Sequence, residues 1–218
     1  MTLKFAIALS GRGSNMLALH DVIAAMADKA SCVCVIADKD CVGLQKAKER
    51  GLETHYVSYK DLGKEAAESQ IIAYLQAHQI DFLLLAGFMR ILSPTFVDAF
   101  PQKIINIHPS LLPKYKGVET HQRALDAGDT HHGATVHFVT AALDDGPILC
   151  QAAIPIQPDD TDETLAARLL PAEHWLYQTV LRGLITGDLF EENGVHHWKT
   201  PPHCDLSDVI VTDCPIAR

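Results

Sequence analysis

The sequence predicts an α/β fold, a single domain with an open, mostly parallel twisted sheet and helices on both faces. Apolar segments rich in Val, Ile and Ala alternate along the chain with segments of helical periodicity, which is the order of a parallel sheet with right-handed crossovers. The segment at residues 31–37 is apolar on both faces, as a strand covered by helices on two sides must be. In such a sheet, ligands bind beyond the carboxyl ends of the strands.

The predicted elements follow one another over residues 3–186. We expect strands at residues 3–9, 31–37, 81–86, 103–107, 133–139 and 148–156. We expect helices at residues 15–28, 43–50 and 64–78, and a long helix at about 162–186 that closes the core. The tail, residues 191–218, is richer in Pro, Asp and His and loses periodicity, so it should lie at the surface or be partly disordered.

Composition and charge disfavour several classes of protein. The chain has 218 residues, of which 48% are hydrophobic and 21% charged, as in a soluble globular protein. Eighteen Lys and Arg against 27 Asp and Glu give a net charge of -9, which disfavours a nucleic-acid or membrane-surface partner. The apolar runs at residues 5–9 and 82–89 are too short for a secretory or membrane-spanning segment. The six cysteines form no CxxC pair, so we expect reduced thiols in a cytoplasmic protein.

A glycine-rich loop, Ser10–Asn15, lies between the first predicted strand and the first predicted helix. Backbone N–H groups at such a position meet the positive end of the helix dipole and can bind an anion. Three interpretations stay open: a phosphate cradle, a dinucleotide fingerprint, or a tight turn in which Ser14 or Asn15 caps the helix. The dinucleotide pattern needs a small residue where this chain has Met16, although Asp38 is placed like a ribose ligand.

Asn106 and His108 stand at the end of a predicted strand, where alternation points both side chains to the same face. An amide beside an imidazole can stabilise an oxyanion and move a proton, and acyl transfer needs both. Asp144 follows in a turn before Gly146 and Pro147. Beside His108 its carboxylate would fix the imidazole tautomer and stabilise the charged ring, but such a residue can also serve the turn alone.

These segments resemble the folate-dependent formyltransferase family over residues 3–185. The most specific match is the string Asn106-Ile107-His108-Pro109-Ser110-Leu111-Leu112-Pro113 with the later Asp144. Further matches occur in family order at residues 10–15, 85–94, 135–139, 143–144, 146–147 and 173–174. The resemblance implies a formyltransferase-type fold with a Rossmann-like N-terminal half. One domain would then cover residues 1–190, with a phosphate-binding half at 1–100 and a folate and catalytic half at 101–190.

The reaction that the resemblance implies is formyl transfer from 10-formyltetrahydrofolate to the amine of 5-phosphoribosylglycinamide, a step of de novo purine biosynthesis. Tetrahydrofolate is the second product, and no metal is implied. His108 would be the general acid, Asn106 would help to hold the oxyanion, and Asp144 would keep His108 charged and route a proton through water. The partners would be small molecules, and a homodimer stays open.

The resemblance also implies the binding residues. Backbone N–H groups of Gly13, Ser14 and Asn15 would hold the ribonucleotide phosphate, and Glu173 would orient the glycinamide end. The residues implied for folate are Lys64, Met89, Arg90, Ile91, Leu92, Asn106 and Asp144. Lys64 stands where relatives carry Arg, and Lys116 and Asp145 replace residues that are commonly Pro and Gly.

Other functions explain less of the sequence. A methionyl-tRNA formyltransferase would carry a further RNA-binding domain, and a formyltetrahydrofolate hydrolase would add a regulatory domain and would have no use for a phosphate loop. A nucleotide-binding dehydrogenase or a phosphate-binding module would leave Asn106, His108 and Asp144 unexplained. The remaining histidine clusters have no known ligand spacing, so we expect no functional metal at His131, His132, His137, His196, His197, His203 or Cys204.

Overall fold

The computed structural model describes residues 2–212, 214 and 215. Its strands are β1 (Leu3–Leu9), β2 (Ala30–Ala37), β3 (Thr54–Tyr56), β4 (Phe82–Leu85), β5 (Ile104–His108), β6 (His131–Phe138), β7 (Ile148–Pro155), β8 (Leu189–Glu192), β9 (Val195–Trp198) and β10 (Ile210–Thr212). Its helices are α1 (Ser14–Ala25), α2 (Val42–Glu49), α3 (Tyr59–Leu62), α4 (Lys64–Ala77), α5 (Pro94–Ala99), α6 (Thr120–Asp126) and α7 (Asp162–Thr186).

Within the described residues, eight strands form one open sheet in the order β10-β7-β6-β5-β4-β1-β2-β3, and β8 and β9 form a separate hairpin. The strands β5, β4, β1, β2 and β3 run parallel to one another, whereas β7 is antiparallel to both β6 and β10. The predicted fold class, an α/β protein with an open and mostly parallel sheet, is therefore confirmed.

The chain divides into two compact units, residues 1–106 and 107–218. In the first unit, β1 lies between β2 and β4, and its residues from Phe5 to Leu9 are buried. Helix α1 packs Met16, Leu19 and Val22 into this core. An apolar strand between two others gains most from burial on both faces, which is why the pattern of β1 was readable in the sequence.

In the second unit, helix α7 covers β6 and β7. It begins with a capping box between Thr161 and Thr164 and ends at Gly187, which has a left-handed φ of 76°. Its buried stripe recurs every three or four residues and includes Leu165, Leu169, Leu176 and Val180. The helix predicted at residues 162–186 is confirmed.

Most described residues of the tail are exposed, as expected, but the tail also contains the strands β9 and β10, which the sequence analysis missed. Strand β9 carries Trp198, which is 3% exposed and donates its indole N–H to the carbonyl of Leu149 at 2.8 Å. Gly183 of α7 makes room for this ring, because a Cβ there would lie 2.6 Å from Cζ3 of Trp198. Strand β10 pairs with β7. Pairing with a distant strand leaves no local periodicity, which explains the error.

A disulfide joins Cys150 of β7 to Cys214, which corrects the expectation of reduced thiols at these two positions. The two cysteines are 64 residues apart, and such a separation gives no signal in the sequence. Cys32, Cys34, Cys41 and Cys204 are free. Burial raises the pKa of Cys32 and of Cys34 to about 12, so neither thiol is a ready nucleophile. In the part of the chain that the structure describes, no helix is long and apolar enough to cross a membrane.

Candidate active site

The glycine-rich loop joins β1 to the first turn of α1. Its Gly13 is the N-cap of the helix, has a φ of 75°, and provides no side-chain cap. A Cβ on Gly13 would lie 2.7 Å from Cα of Gly43, so the start of α2 leaves room only for glycine. Because the N-cap is Gly13, the interpretation in which Ser14 or Asn15 caps the helix is wrong, and the loop keeps the geometry of an anion cradle.

Ser10 ties this loop to the segment after β4. Its Oγ accepts the N–H of Met89 at 2.8 Å, and its own N–H donates to the carbonyl of Gly87 at 2.9 Å. The Met89 N–H is thus used within the protein, and the N–H of Ser93 donates to the carboxylate of Glu68 at 3.1 Å. A ligand that binds to the main chain of this segment would therefore contact the carbonyl of Met89 and the N–H and carbonyl groups from Arg90 to Leu92, because the Met89 N–H is already used.

Asp38, the residue on which the dinucleotide interpretation depended, is buried and paired with Arg90. Nε of Arg90 lies 2.5 Å from Oδ2 of Asp38, and the guanidinium stacks over the ring of Tyr59 at 5.1 Å from its centroid. A carboxylate held in this way is not presented to a ribose hydroxyl. The dinucleotide interpretation is therefore not supported.

Four residues that the resemblance implies for folate line one cavity of about 360 Å³ in the first unit. The lining consists of Tyr59, Lys64, Met89, Arg90 and Ile91. Met89 and Ile91 are 69% and 64% exposed, unusually open for large apolar side chains. Lys64 at the start of α4 has Nζ 3.9 Å from Oε1 of Glu68. The cavity thus combines an apolar wall with two cations, each beside a buried carboxylate.

In the second unit, the structure brings His108 and Asp144 together. Nδ1 of His108 lies 3.5 Å from Oδ2 of Asp144, an ion-pair distance longer than a direct hydrogen bond. Nε2 of His108 lies 2.9 Å from the carbonyl of Tyr115, so this nitrogen carries a proton. Both ring nitrogens therefore face oxygen acceptors, which is the arrangement that an imidazolium satisfies.

Asp144 itself is held by backbone geometry. It has a left-handed φ of 47°, and its Oδ2 accepts the N–H of Gly117 at 2.9 Å. A Cβ on Gly146, two residues later, would clash with the carbonyl oxygen of Phe138, so the turn requires glycine there. The turn residues thus present the carboxylate beside His108, and the effect of that carboxylate on the imidazole stays a prediction.

His137 is a further imidazole beside this carboxylate. Its Nε2 lies 3.9 Å from Oδ1 of Asp144, and its Nδ1 lies 2.9 Å from the carbonyl of Phe138. Burial lowers the pKa of His137, with Asp144 opposing the effect, so the ring is neutral near neutral pH. Sequence reasoning argued against His137 as a metal ligand, placed it in a segment that matches the family, and missed this contact.

Asn106 precedes His108 by two residues on β5, so both side chains point to the same face of the strand. Glu173 lies half-buried on α7.

The two groups that orient the His108–Asp144 pair, the Tyr115 carbonyl and the Gly117 N–H, belong to the backbone. No residue type encodes them, which is why the sequence did not reveal them.

A second cavity of about 350 Å³ lies beside the loop after β5. It is lined by Leu111, Pro113, Lys114, Tyr115, Asp129, Thr130, His131 and His132. Nε2 of His132 lies 2.9 Å from Nδ1 of His121, and burial lowers the pKa of His132 to about 4. Among the residues described, no three His, Cys, Asp or Glu side chains converge as a metal site would require.

The class of protein follows from this fold and from comparison with known sequences. The chain belongs to the formyl transferase family, whose model matches residues 3–181. It is 39% identical over 189 residues to the phosphoribosylglycinamide formyltransferase of Escherichia coli (strain K12), covering 86% of this chain and 89% of that protein. The crystal structure of the phosphoribosylglycinamide formyltransferase from Brucella melitensis is 46% identical, with a TM-score of 0.80 over 88% of this chain and 100% of that one.

A longer relative contains a similar segment as one part of its chain. The trifunctional purine biosynthetic protein adenosine-3 of Drosophila melanogaster is 42% identical over 188 residues, which is 84% of this chain. The chain spans only 14% of the length of that protein.

Proposed function

We propose that this protein transfers the formyl group of 10-formyltetrahydrofolate to the amine of 5-phosphoribosylglycinamide in de novo purine biosynthesis. The observation that carries the proposal is the His108–Asp144 pair, 3.5 Å apart, with Asn106 on the same face of β5 as His108. The proposal is further supported by sequence identities of 39% and 46% to two phosphoribosylglycinamide formyltransferases, over most of the length of each.

In the proposed formyl transfer, Asn106, His108 and Asp144 each have one role. The amine nitrogen attacks the formyl carbon, a C–N bond forms, and the carbonyl electron pair moves onto oxygen. The side-chain amide of Asn106 and the Nδ1–H of the protonated His108 ring donate hydrogen bonds to this oxyanion, because Nε2 is held by the Tyr115 carbonyl whereas Nδ1 lies 3.5 Å from Asp144. As the intermediate collapses, the bond to N10 of the folate breaks, and N10 takes up the proton that the amine releases. Asp144 balances the charge on His108 throughout and routes the proton through water.

The phosphate of the ribonucleotide binds to the backbone N–H groups of Gly13, Ser14 and Asn15. The uncapped start of α1 and the glycine that its packing requires support this role. Glu173 of α7 orients the glycinamide end, because a carboxylate can accept hydrogen bonds from the amide and the amine.

The folate occupies the cavity of Lys64, Met89, Arg90 and Ile91, together with the main chain up to Leu92. The exposed Met89 and Ile91 side chains suit a flat aromatic ring, and the two cations suit the tail carboxylates. Because Asp38 and Glu68 already compensate Arg90 and Lys64, the attraction for the tail is weak and sensitive to salt.

The test is an assay with 10-formyltetrahydrofolate in the presence and absence of 5-phosphoribosylglycinamide, in which the formylated ribonucleotide is detected by mass spectrometry. We expect turnover that requires the ribonucleotide, and its loss in His108→Ala. Turnover without the ribonucleotide would identify a hydrolase. No turnover with either mixture would reject the proposal.

A further inference from the structure

One short loop of the second unit holds both members of the His108–Asp144 pair through its backbone. The carbonyl of Tyr115 accepts from Nε2 of His108 at 2.9 Å, and the N–H of Gly117 donates to Oδ2 of Asp144 at 2.9 Å. Lys116 stands between these two positions. A displacement of this loop would therefore change the orientation of the imidazole and of the carboxylate at the same time.

Two non-glycine residues of this junction have a backbone conformation that is uncommon for a residue with a Cβ. Tyr115 has a φ of 55° and Asp144 a φ of 47°, both left-handed in residues with a Cβ, and Gly117 has a φ of 84°. Such conformations persist only where surrounding contacts hold them. The loop and the turn therefore need contacts that join them to each other.

The side chains of Lys116 and Asp145 supply such a contact. Nζ of Lys116 forms an ion pair with Oδ1 of Asp145, the residue next to Asp144. The pair thus runs beside the hydrogen bond from Gly117 to Asp144 and joins the same two segments one residue away. Arg123 of α6 also holds the loop, since it donates to the carbonyl of Lys116 at 2.7 Å.

We propose that Lys116 and Asp145 are a positioning pair for the formyl transfer, which fixes the loop of Tyr115 and Gly117 against the turn of Asp144. The inference rests on the proposed function. Neither side chain needs to touch a substrate. An exposed ion pair adds little to the stability of a fold, so the pair acts on the geometry of the site and barely on folding.

The experiment compares four variants of the full chain: Lys116→Met, Asp145→Asn, the double variant, and the charge exchange Lys116→Asp/Asp145→Lys. We expect each single variant to lower kcat about 3- to 10-fold with KM for both substrates unchanged within about twofold, because orientation of reacting groups acts on the chemical step. The double variant should lose no more than the worse single variant, and the exchange should recover kcat to within about twofold of the parent.

The ion pair between Arg50 and Asp21 is a matched control. Its side chains are 39% and 56% exposed, against 34% and 56% for Lys116 and Asp145. Arg50→Met should leave kcat unchanged. Equal losses in Arg50→Met and Lys116→Met would show a general effect of surface charge and would overturn the proposal.

A second readout does not depend on activity. The Cε1–H NMR signal of His108, assigned with a His108→Gln variant, should move in both single variants and return in the charge exchange. If the parent protein shows no formyl transfer, the proposed function fails, but this signal still reports the contact. Multiplicative losses in the double variant, or an unmoved signal with unchanged kcat in the single variants, would overturn the positioning role.

Discussion

The guanidinium of Arg90 and the carboxylate of Asp38 form a contact of 2.5 Å, and only the guanidinium reaches the solvent, at 40% side-chain exposure against 2% for Asp38. A buried carboxylate without a partner would be costly, so Arg90 is fixed in place by the need to compensate Asp38. Its charge is thereby largely neutralised before any ligand arrives. Arg90 therefore offers a ligand in this cavity the directional N–H donors of its guanidinium but little net positive charge.

The first prediction concerns the other cation of this cavity. Lys64→Ala should raise KM for 10-formyltetrahydrofolate a few-fold and leave kcat unchanged, because a half-exposed ammonium contributes at most about 1 kcal/mol to binding a carboxylate. The rise in KM should shrink as salt is added, since salt screens exposed charges. Steady-state kinetics at low and high ionic strength measure both effects.

Lys60→Ala is the control, because this exposed lysine of α3 does not line the cavity. It should change neither constant. A large fall in kcat for Lys64→Ala would contradict a role limited to the folate tail.

The second prediction concerns the phosphate loop. Gly13→Ala places a Cβ 2.7 Å from Cα of Gly43 at a residue with a φ of 75°, so the loop must shift. We expect KM for the ribonucleotide to rise at least about tenfold, with a much smaller change in KM for the folate. The reason is that several N–H groups of the loop would no longer point towards the phosphate.

Gly11→Ala is the matched control in the same loop. A Cβ on Gly11 would meet nothing within 4 Å. This variant should change either KM by less than about twofold. Similar rises in both KM values for Gly13→Ala would argue against phosphate binding by this loop.

The third prediction concerns the dependence of stability on pH. Burial, and next the neighbouring His121, lower the pKa of His132 to about 4, against 6.5 in an unfolded chain. Below pH 6.5 the unfolded chain therefore binds a proton at His132 that the folded protein does not bind. The contribution of His132 to stability is complete above pH 6.5 and falls as the pH falls towards 4. From pH 7 to pH 5 this single histidine should cost about 2 kcal/mol.

Denaturant unfolding at both pH values measures this loss. His132→Gln should have a smaller loss of unfolding free energy between pH 7 and pH 5 than the parent, whatever its stability at pH 7. His131→Gln, at the exposed neighbouring residue, should keep the loss of the parent. An equal loss in His132→Gln and in the parent would contradict the assignment.

Much of the fold could be predicted from the sequence because its long elements bury a periodic face. The bounds of β1 and α7 agree with the pattern to the residue, whereas the three-residue strands β3 and β10 were missed. Strands that short have no period of their own and exist because a neighbouring strand pairs with them.

The candidate site could likewise be predicted from the sequence only in part. The proximity of His108 and Asp144 was predicted because their side-chain types suit acid–base chemistry, but Asp38 was misjudged because its partner, Arg90, lies 52 residues away. Lys116 and Asp145 stood out separately as departures from the family pattern, and the structure pairs them with each other. Which distant residues meet is decided by tertiary packing, and one sequence does not contain that information in readable form.

The last prediction treats Asn106, His108 and Asp144 as one catalytic unit. Loss of an oxyanion donor typically costs about 10²- to 10³-fold in rate and loss of a general acid about 10²- to 10⁴-fold. Asn106→Ala and His108→Ala should lower kcat within these ranges, with little change in KM for the ribonucleotide. Asp144→Asn should also lower kcat, because an amide cannot balance the charge of the imidazolium.

The double variant His108→Ala/Asp144→Asn decides whether the two residues act together. Asp144 lies 3.5 Å from Nδ1 of His108 and has its effect through that ring, so removing its charge matters little once the ring is gone. The double variant should therefore be about as slow as the worse single variant, since partners in one step are not additive. Circular dichroism must first show that each variant is folded, because Oδ2 of Asp144 also accepts the N–H of Gly117. Fully multiplicative losses in folded variants would mean that Asp144 and His108 serve separate steps, and the mechanism would then need a different proton route.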